Sequence, residues 1–200
     1  MQLDRAEQRR LLVVAREAIE AAVRRAPAAA MSAAPAAATQ SADAGTAALP
    51  PRLSQPAAAF VTIHEQGQLR GCIGLMRFDA PLWLNVRDAA RAAALEDRRS
   101  MPVVESELPA LELEVSVLEP PVDLPDPEGF IAGRHGIIVE QGMHRALLLP
   151  QVADEMGWDE EQMLDAVCRK ANLPGDAWRH GARLQVFEST CFSEAEAARD

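Results

Sequence analysis

The string Leu69-Arg70-Gly71-Cys72-Ile73-Gly74 sets a thiol between two glycines inside an otherwise strand-forming run. Glycine weakens a strand, so two of them signal a bulge or a place where a ligand or another backbone comes close. A cysteine so placed can face a cleft, and a neighbouring guanidinium favours the thiolate needed for a nucleophile, redox group or ligand. In that reading Arg70 also holds an anionic group, with Gly71 and Gly74 shaping the binding turn. A purely structural role is the alternative, with a small thiol filling space beside the glycines. Covalent cysteine catalysis needs a base, usually histidine. His64 is near in sequence, whereas His135, His144 and His180 fall in or beside turns and reach Cys72 only through the fold. Glu112 and Glu114 share one strand face; Glu114 is a candidate proton carrier, although a solvated outer face explains both equally well.

The remaining chemistry-bearing residues narrow the field. Cys72, Cys168 and Cys191 are far apart with no CxxC pair, which argues for reduced thiols and against a disulfide framework or a cysteine-based metal site. No two histidines have metal-ligand spacing. No phosphate loop, dinucleotide glycine fingerprint or serine elbow is present, so neither metal nor cofactor is expected. The 200 residues carry a net charge of −10, which opposes the phosphate neutralisation that nucleic-acid binding requires. The charge is uneven. Pro102 to Phe130 holds eight acids and no base, whereas Arg52 to Ser100 holds seven arginines against five acids. No apolar run approaches the length of a membrane span, and Met1 to Arg10 lacks a signal-peptide pattern, so a cytoplasmic location is expected.

Those residues need elements to hold them. Asp4 and Glu7 form a capping box ahead of a helical apolar stripe (Leu11, Leu12, Ala15, Ile19, Val23), predicting a helix to about Arg25. Residues 26–48, alanine-rich with interspersed proline, read as a low-complexity linker. Phe60 to His64 and Leu69 to Leu75 predict a hairpin turning at Gln66-Gly67. A regular register pairs Ile63 with Arg70 and Val61 with Cys72, placing Arg70 and Cys72 on one face and His64 on the other. His64 then serves Cys72 only if a bulge reverses the alternation. Pro81 to Arg98 predicts a helix with Arg87, Asp88, Arg91 and Asp97 on its open side. Leu111 to Leu118 alternates as a half-buried strand. A second hairpin follows over 136–149, then helices at 151–157 and 159–171, and a last strand at Arg183 to Glu188. Strands outside βαβ units predict an α+β fold with a mainly antiparallel sheet and flanking helices.

Four blocks occur in order: Phe60-Val61-Thr62-Ile63-His64, Gln68 to Gly74, Leu111 to Leu118, and Leu148-Leu149-Pro150-Gln151-Val152. Together they resemble the AMMECR-one domain family, whose bacterial form is AmmeMemoRadiSam system protein A; the string Leu69 to Gly74 is its hallmark. The resemblance runs from the first helix to about Phe192. It implies that residues 1–200 form one such domain, with two unequal lobes forming a cleft near the hallmark and residues 26–48 as an inserted linker. It implies no reaction. It does imply partners, a Memo-like protein and a radical-SAM enzyme, and hence a non-catalytic or substrate-presenting subunit. The alternative is a small cleft enzyme using Cys72 as nucleophile or redox group. No nucleic acid or membrane is expected as a partner.

Overall fold

The computed structural model describes residues 2–25 and 49–198, so the expected linker over 26–48 lies outside the described residues. In chain order the elements are α1 (Arg5–Arg25), β1 (Ala58–Glu65), β2 (Gln68–Leu75), α2 (Leu82–Leu95), β3 (Leu111–Leu118), β4 (Val122–Asp123), β5 (Gly136–Gln141), β6 (His144–Leu148), α3 (Gln151–Met156), α4 (Glu160–Lys170), β7 (Arg183–Phe187), β8 (Ser189–Ser193) and α5 (Glu194–Ala197). The fold is α+β. The chain divides into two compact units, residues 1–117 with 191–200, and residues 118–190.

The first unit is built on a four-stranded sheet in the order β2-β1-β3-β8. Helix α1 starts where the sequence places it. The Asp4 carboxylate accepts the Glu7 N–H at 2.9 Å and the Glu7 carboxylate accepts that of Asp4 at 2.9 Å, satisfying two otherwise unpaired donors. Its stripe Leu11, Ala15, Ile19 and Val23 packs into one core with Leu82, Val86, Ala89 and Ala93 of α2 and Val61, Ile63, Leu113 and Val115 of the sheet. Full burial of a leucine or isoleucine here contributes about 1.5–3 kcal/mol each. All four strand residues sit at alternate positions, so the opposite face of the sheet carries Phe60, Thr62, His64, Glu112, Glu114 and Ser116.

The second unit holds the sheet β4-β7-β5-β6. Strands β5 and β6 form the expected hairpin, closing at Gly142-Met143, with Gly142 in the left-handed region at φ 62°. Helix α4 is capped by Asp159, whose carboxylate accepts the Gln162 N–H at 2.8 Å. Its buried side, Met163, Leu164, Val167 and Cys168, packs on Ile137, Val139 and Leu184. Cys168 is fully buried in this core, and burial pushes its thiol pKa up.

Three expectations are corrected. The helix expected over 81–98 stops at Leu95, because Asp97 leaves the helical path and buries its carboxylate against β2. The strand at Arg183 is not the last, since β8 and α5 follow it. The hairpin register is the third correction, and it rearranges the candidate site.

Candidate functional site

Strands β1 and β2 turn at Gln66-Gly67 with Glu65 opposite Gln68 and His64 opposite Leu69, but the register then shifts so that Ile63 faces Gly71 and Thr62 faces Cys72. Arg70 is the extra residue of a bulge. One inserted residue flips every later side chain of β2, so Cys72 shares its face with Thr62 and His64 rather than opposing them. The sequence reading placed His64 on the face away from Cys72; the bulge overturns that. The Thr62 hydroxyl donates to the Cys72 sulfur at 3.3 Å, and the Cys72 residue is half-buried.

Both hallmark glycines mark close approaches. A Cβ on Gly71 would sit 2.3 Å from the backbone oxygen of Ala93, so the strand crosses α2 too closely for any side chain. A Cβ on Gly74 would sit 2.2 Å from the ring of Phe60, the residue directly opposite, whose ring covers the glycine.

Arg70 does not hold an outside anion in this structure. Its Nε donates to Glu107 Oε1 at 2.8 Å and its Nη2 to Oε2 at 3.1 Å, while Nη1 and Nη2 reach the carbonyls of Met101 and Pro102. This paired fork to a carboxylate is the geometry guanidinium favours. The bond from Arg70 holds the Glu107 carboxyl below its usual range, and the bond to Glu107 raises the Arg70 pKa.

The loop after α2 completes the environment. Strand β2 ends its sheet, so the outward backbone groups need partners. The Asp97 carboxylate accepts the Cys72 N–H at 2.9 Å, Arg99 donates to the Cys72 carbonyl at 3.0 Å, and the Ser100 hydroxyl donates to the Arg70 carbonyl at 2.8 Å. Asp97 is buried, and the guanidinium of Arg99 holds its carboxyl well below the usual range. The sequence reading placed Asp97 on an open helix face. The missed signal was the run Glu96-Asp97-Arg98-Arg99-Ser100, where side chains able to mimic a strand's hydrogen bonds follow the last apolar residue of the helix.

Glu114 shares the polar sheet face with Cys72 and His64, but β1 lies between β2 and β3, about 10 Å of lateral separation at ordinary strand spacing. Its near neighbour is Cys191 of β8. Although Cys191 as a residue is exposed, desolvation of its sulfur pushes the thiol up to about 12, with the Glu114 and Glu196 carboxylates adding to the rise and a hydrogen bond with Ser116 opposing it. A pocket of about 350 Å³ opens beside Cys191, with Arg5, Arg9, Leu12, Phe192 and Glu196 in its walls. Cys72 is not among its lining residues. His135, His144 and His180 belong to the second unit, where each has a local partner: the Ile131 N–H, the Ala171 carbonyl and the Asp176 carboxylate. Among the described residues no group of three His, Cys, Asp or Glu side chains is placed to hold a metal ion. No helix among them is long and apolar enough to cross a membrane.

An α+β chain whose edge strand carries an Arg-Gly-Cys bulge clamped by an acidic loop defines a structural class with known relatives. A 44% identical protein of Methanosarcina acetivorans aligns over 161 residues, covering 77% of this chain and 79% of that protein, and a Methanocaldococcus jannaschii protein is 38% identical over 156 residues, covering 74% and 78%. The crystal structure of an uncharacterised protein from Pyrococcus horikoshii, 34% identical, superposes with a TM-score of 0.79 over 94% of this chain and 91% of that one. The AMMECR1 family model matches residues 12–192, and this chain belongs to that family.

Proposed function

We propose that this protein is a non-catalytic partner subunit that docks onto a Memo-like protein and a radical-SAM enzyme, with the hallmark string as a structural element of the docking unit. One observation carries the reading: the polar groups of Arg70 and the backbone of Cys72 are engaged within the chain by Glu107, Asp97 and Arg99. A guanidinium already forked onto a carboxylate has no open fork for a substrate anion, and displacing Glu107 would leave a second charge uncompensated. The net charge of −10 argues against nucleic acid as the partner. Co-purification of the full chain with tagged Memo-like and radical-SAM proteins from the same genome tests this. Association with at least one is expected. Association with neither, together with tight salt-sensitive binding to nucleic acid, would overturn it.

A second reading, a small enzyme using Cys72 as nucleophile or redox group, is favoured by the bulge, which puts Thr62 and His64 on the face of a half-buried thiol. Its test is the iodoacetamide rate at Cys72 between about pH 5 and 9 against that of the unfolded chain, since a catalytic thiolate stays reactive at the acid end. A rate that follows the unfolded chain across that range removes the enzyme reading.

A further inference from the structure

Helix α1 turns one stripe to the core and an adjoining one to a cavity. Arg5, Gln8, Arg9 and Leu12 follow one another at helical spacing, so they share a face, and that face closes the pocket of about 350 Å³ against β8 and α5. All three elements belong to the first unit. The volume lies at the small end of ligand sites, about 300–1,000 Å³. Its floor is apolar, with Leu12 and Phe192 only 4% and 5% exposed, and Ala197 of α5 lines the same space with a methyl group. Its rim is charged. Arg9 is exposed, and among the described residues no hydrogen bond or ion pair engages its guanidinium. Arg5, one turn earlier, already has an interaction within the chain, so the open fork is that of Arg9.

We infer that this pocket binds a small monocarboxylic acid with an apolar body, its carboxylate forked onto Arg9 and its body lying on Leu12 and Phe192. A guanidinium matches a planar carboxylate through paired hydrogen bonds, and the apolar floor rewards a ligand that carries more than a charge. The acids nearby are accounted for. Glu196, in the wall, is tied into the cap of α5, its Oε2 accepting the Ser193 N–H at 3.1 Å. Asp4 and Glu7 of the same helix hold each other's N–H, Glu7 also approaches Arg52 at 3.6 Å, and Glu194 pairs with Arg16; none of these three lines the pocket. One open guanidinium facing the Glu196 carboxylate suits a monoanion better than a dianion such as phosphate. The Cys191 thiol in the wall is pushed up to about 12 and so stays protonated at neutral pH, adding no charge to repel the ligand. This site stands apart from the docking role and does not depend on it.

The test titrates the full, nitrogen-15-labelled chain at neutral pH with phenylacetate and with hexanoate, followed by amide NMR shifts. At least one of the two should give saturable shifts centred on Arg9, Cys191 and Phe192, with a Kd of about 1 mM or tighter. Phenylacetamide, which keeps the apolar body without the charge, and inorganic phosphate, which keeps charge without the body, should each bind at least about ten-fold more weakly. Arg9→Gln removes only an exposed, unpaired side chain, so the fold should be untouched while acid binding weakens at least about ten-fold. No saturable shift from either acid up to about 10 mM overturns the site, as do shifts centred elsewhere. Phosphate binding as tightly as the acids, or an Arg9→Gln variant within about three-fold of wild type, overturns the proposed chemistry.

Discussion

Replacing Gly71 by alanine asks whether the hallmark string is built around contact between β2 and α2. The added Cβ would meet the Ala93 carbonyl oxygen at 2.3 Å, about 1 Å short of ordinary carbon–oxygen contact. Ala93 lies inside the helix and is itself buried, so its oxygen cannot swing aside as a side chain would; strand and helix must separate. Overpacking of this kind costs about 1–3 kcal/mol, and a backbone obstacle puts Gly71 near the top of that range. The alanine recovers about 0.4–1 kcal/mol by restricting the unfolded chain, leaving a net loss of about 2–2.5 kcal/mol. For a chain of this size that lowers Tm by about 4–10 °C. Gly74→Ala is the matched comparison, because its 2.2 Å clash is with the Phe60 ring, which can rotate away. Urea denaturation of both variants, and of Gly74→Ala combined with Phe60→Leu, should rank Gly71→Ala as the more damaging and show partial recovery only in the Phe60 background. If Gly71→Ala costs less than about 0.5 kcal/mol, or no more than Gly74→Ala, the close crossing of strand and helix is not what the glycine is for.

Three further outcomes are expected. Asp97→Asn should lose about 1–3 kcal/mol at neutral pH, because Arg99 and the Cys72 N–H both bond the charged carboxylate. Since the folded carboxyl titrates well below its ordinary 3.8, its contribution is complete above the unfolded pKa and is lost only as pH falls through the folded value, so the gap between wild type and variant should narrow, without closing, in denaturation curves taken from neutral pH down to about pH 3. A double-mutant cycle on Arg70→Met and Glu107→Gln should return a coupling of about 1–2 kcal/mol, with Arg70→Lys recovering little because lysine lacks the fork; a coupling near zero would mean that the pair is not formed in solution. In alkylation followed by mass spectrometry near pH 8, Cys168 should label only in denaturant. Cys191, despite its exposure, should label at least about ten-fold slower than in the unfolded chain because its thiol stays protonated; rapid labelling there would contradict the reading of its surroundings.

Much of the architecture could be read from local pattern. The Asp4–Glu7 box, the alternation from Leu111 to Leu118, the Gln66-Gly67 turn and the Asp159 cap each carry their signal within a few residues, and each appears where expected. What escaped was set by partners distant in the chain. The glycines of β2 signalled a bulge but not its place: the extra residue is Arg70, held by Glu107, 37 residues on, and no periodicity in β2 announces the register it sets. Asp97 keeps the helical spacing of its neighbours, yet the edge of β2 captures it. Strand β8, Ser189–Ser193, has little apolar alternation, because only Phe192 enters the core while Cys191 faces Glu114 and Ser116. The candidate residues themselves were legible by type. Cys72, His64 and Glu114 do share a sheet face, but which of them are neighbours depended on one inserted residue and on strand order.

The first unit is interrupted. Phe192 belongs to its core, Glu194 pairs with Arg16 and accepts the Leu113 N–H at 2.9 Å, and both follow residues 118–190, which form a unit of their own. A ribosome adding about 5–20 residues per second needs roughly 4–15 s to pass from Val117 to Cys191. Through that interval α1, α2 and the first three strands of the sheet are outside or leaving the exit tunnel without β8, and the edge of β3 lacks its neighbour. The second unit closes only just before, since its strands β4 and β5 are joined through β7, which ends at Phe187, four residues short of Cys191. The order of synthesis is thus the reverse of the order of completion: the half that begins first finishes last, and a nascent chain stalled before Cys191 carries an open strand edge that the released protein does not.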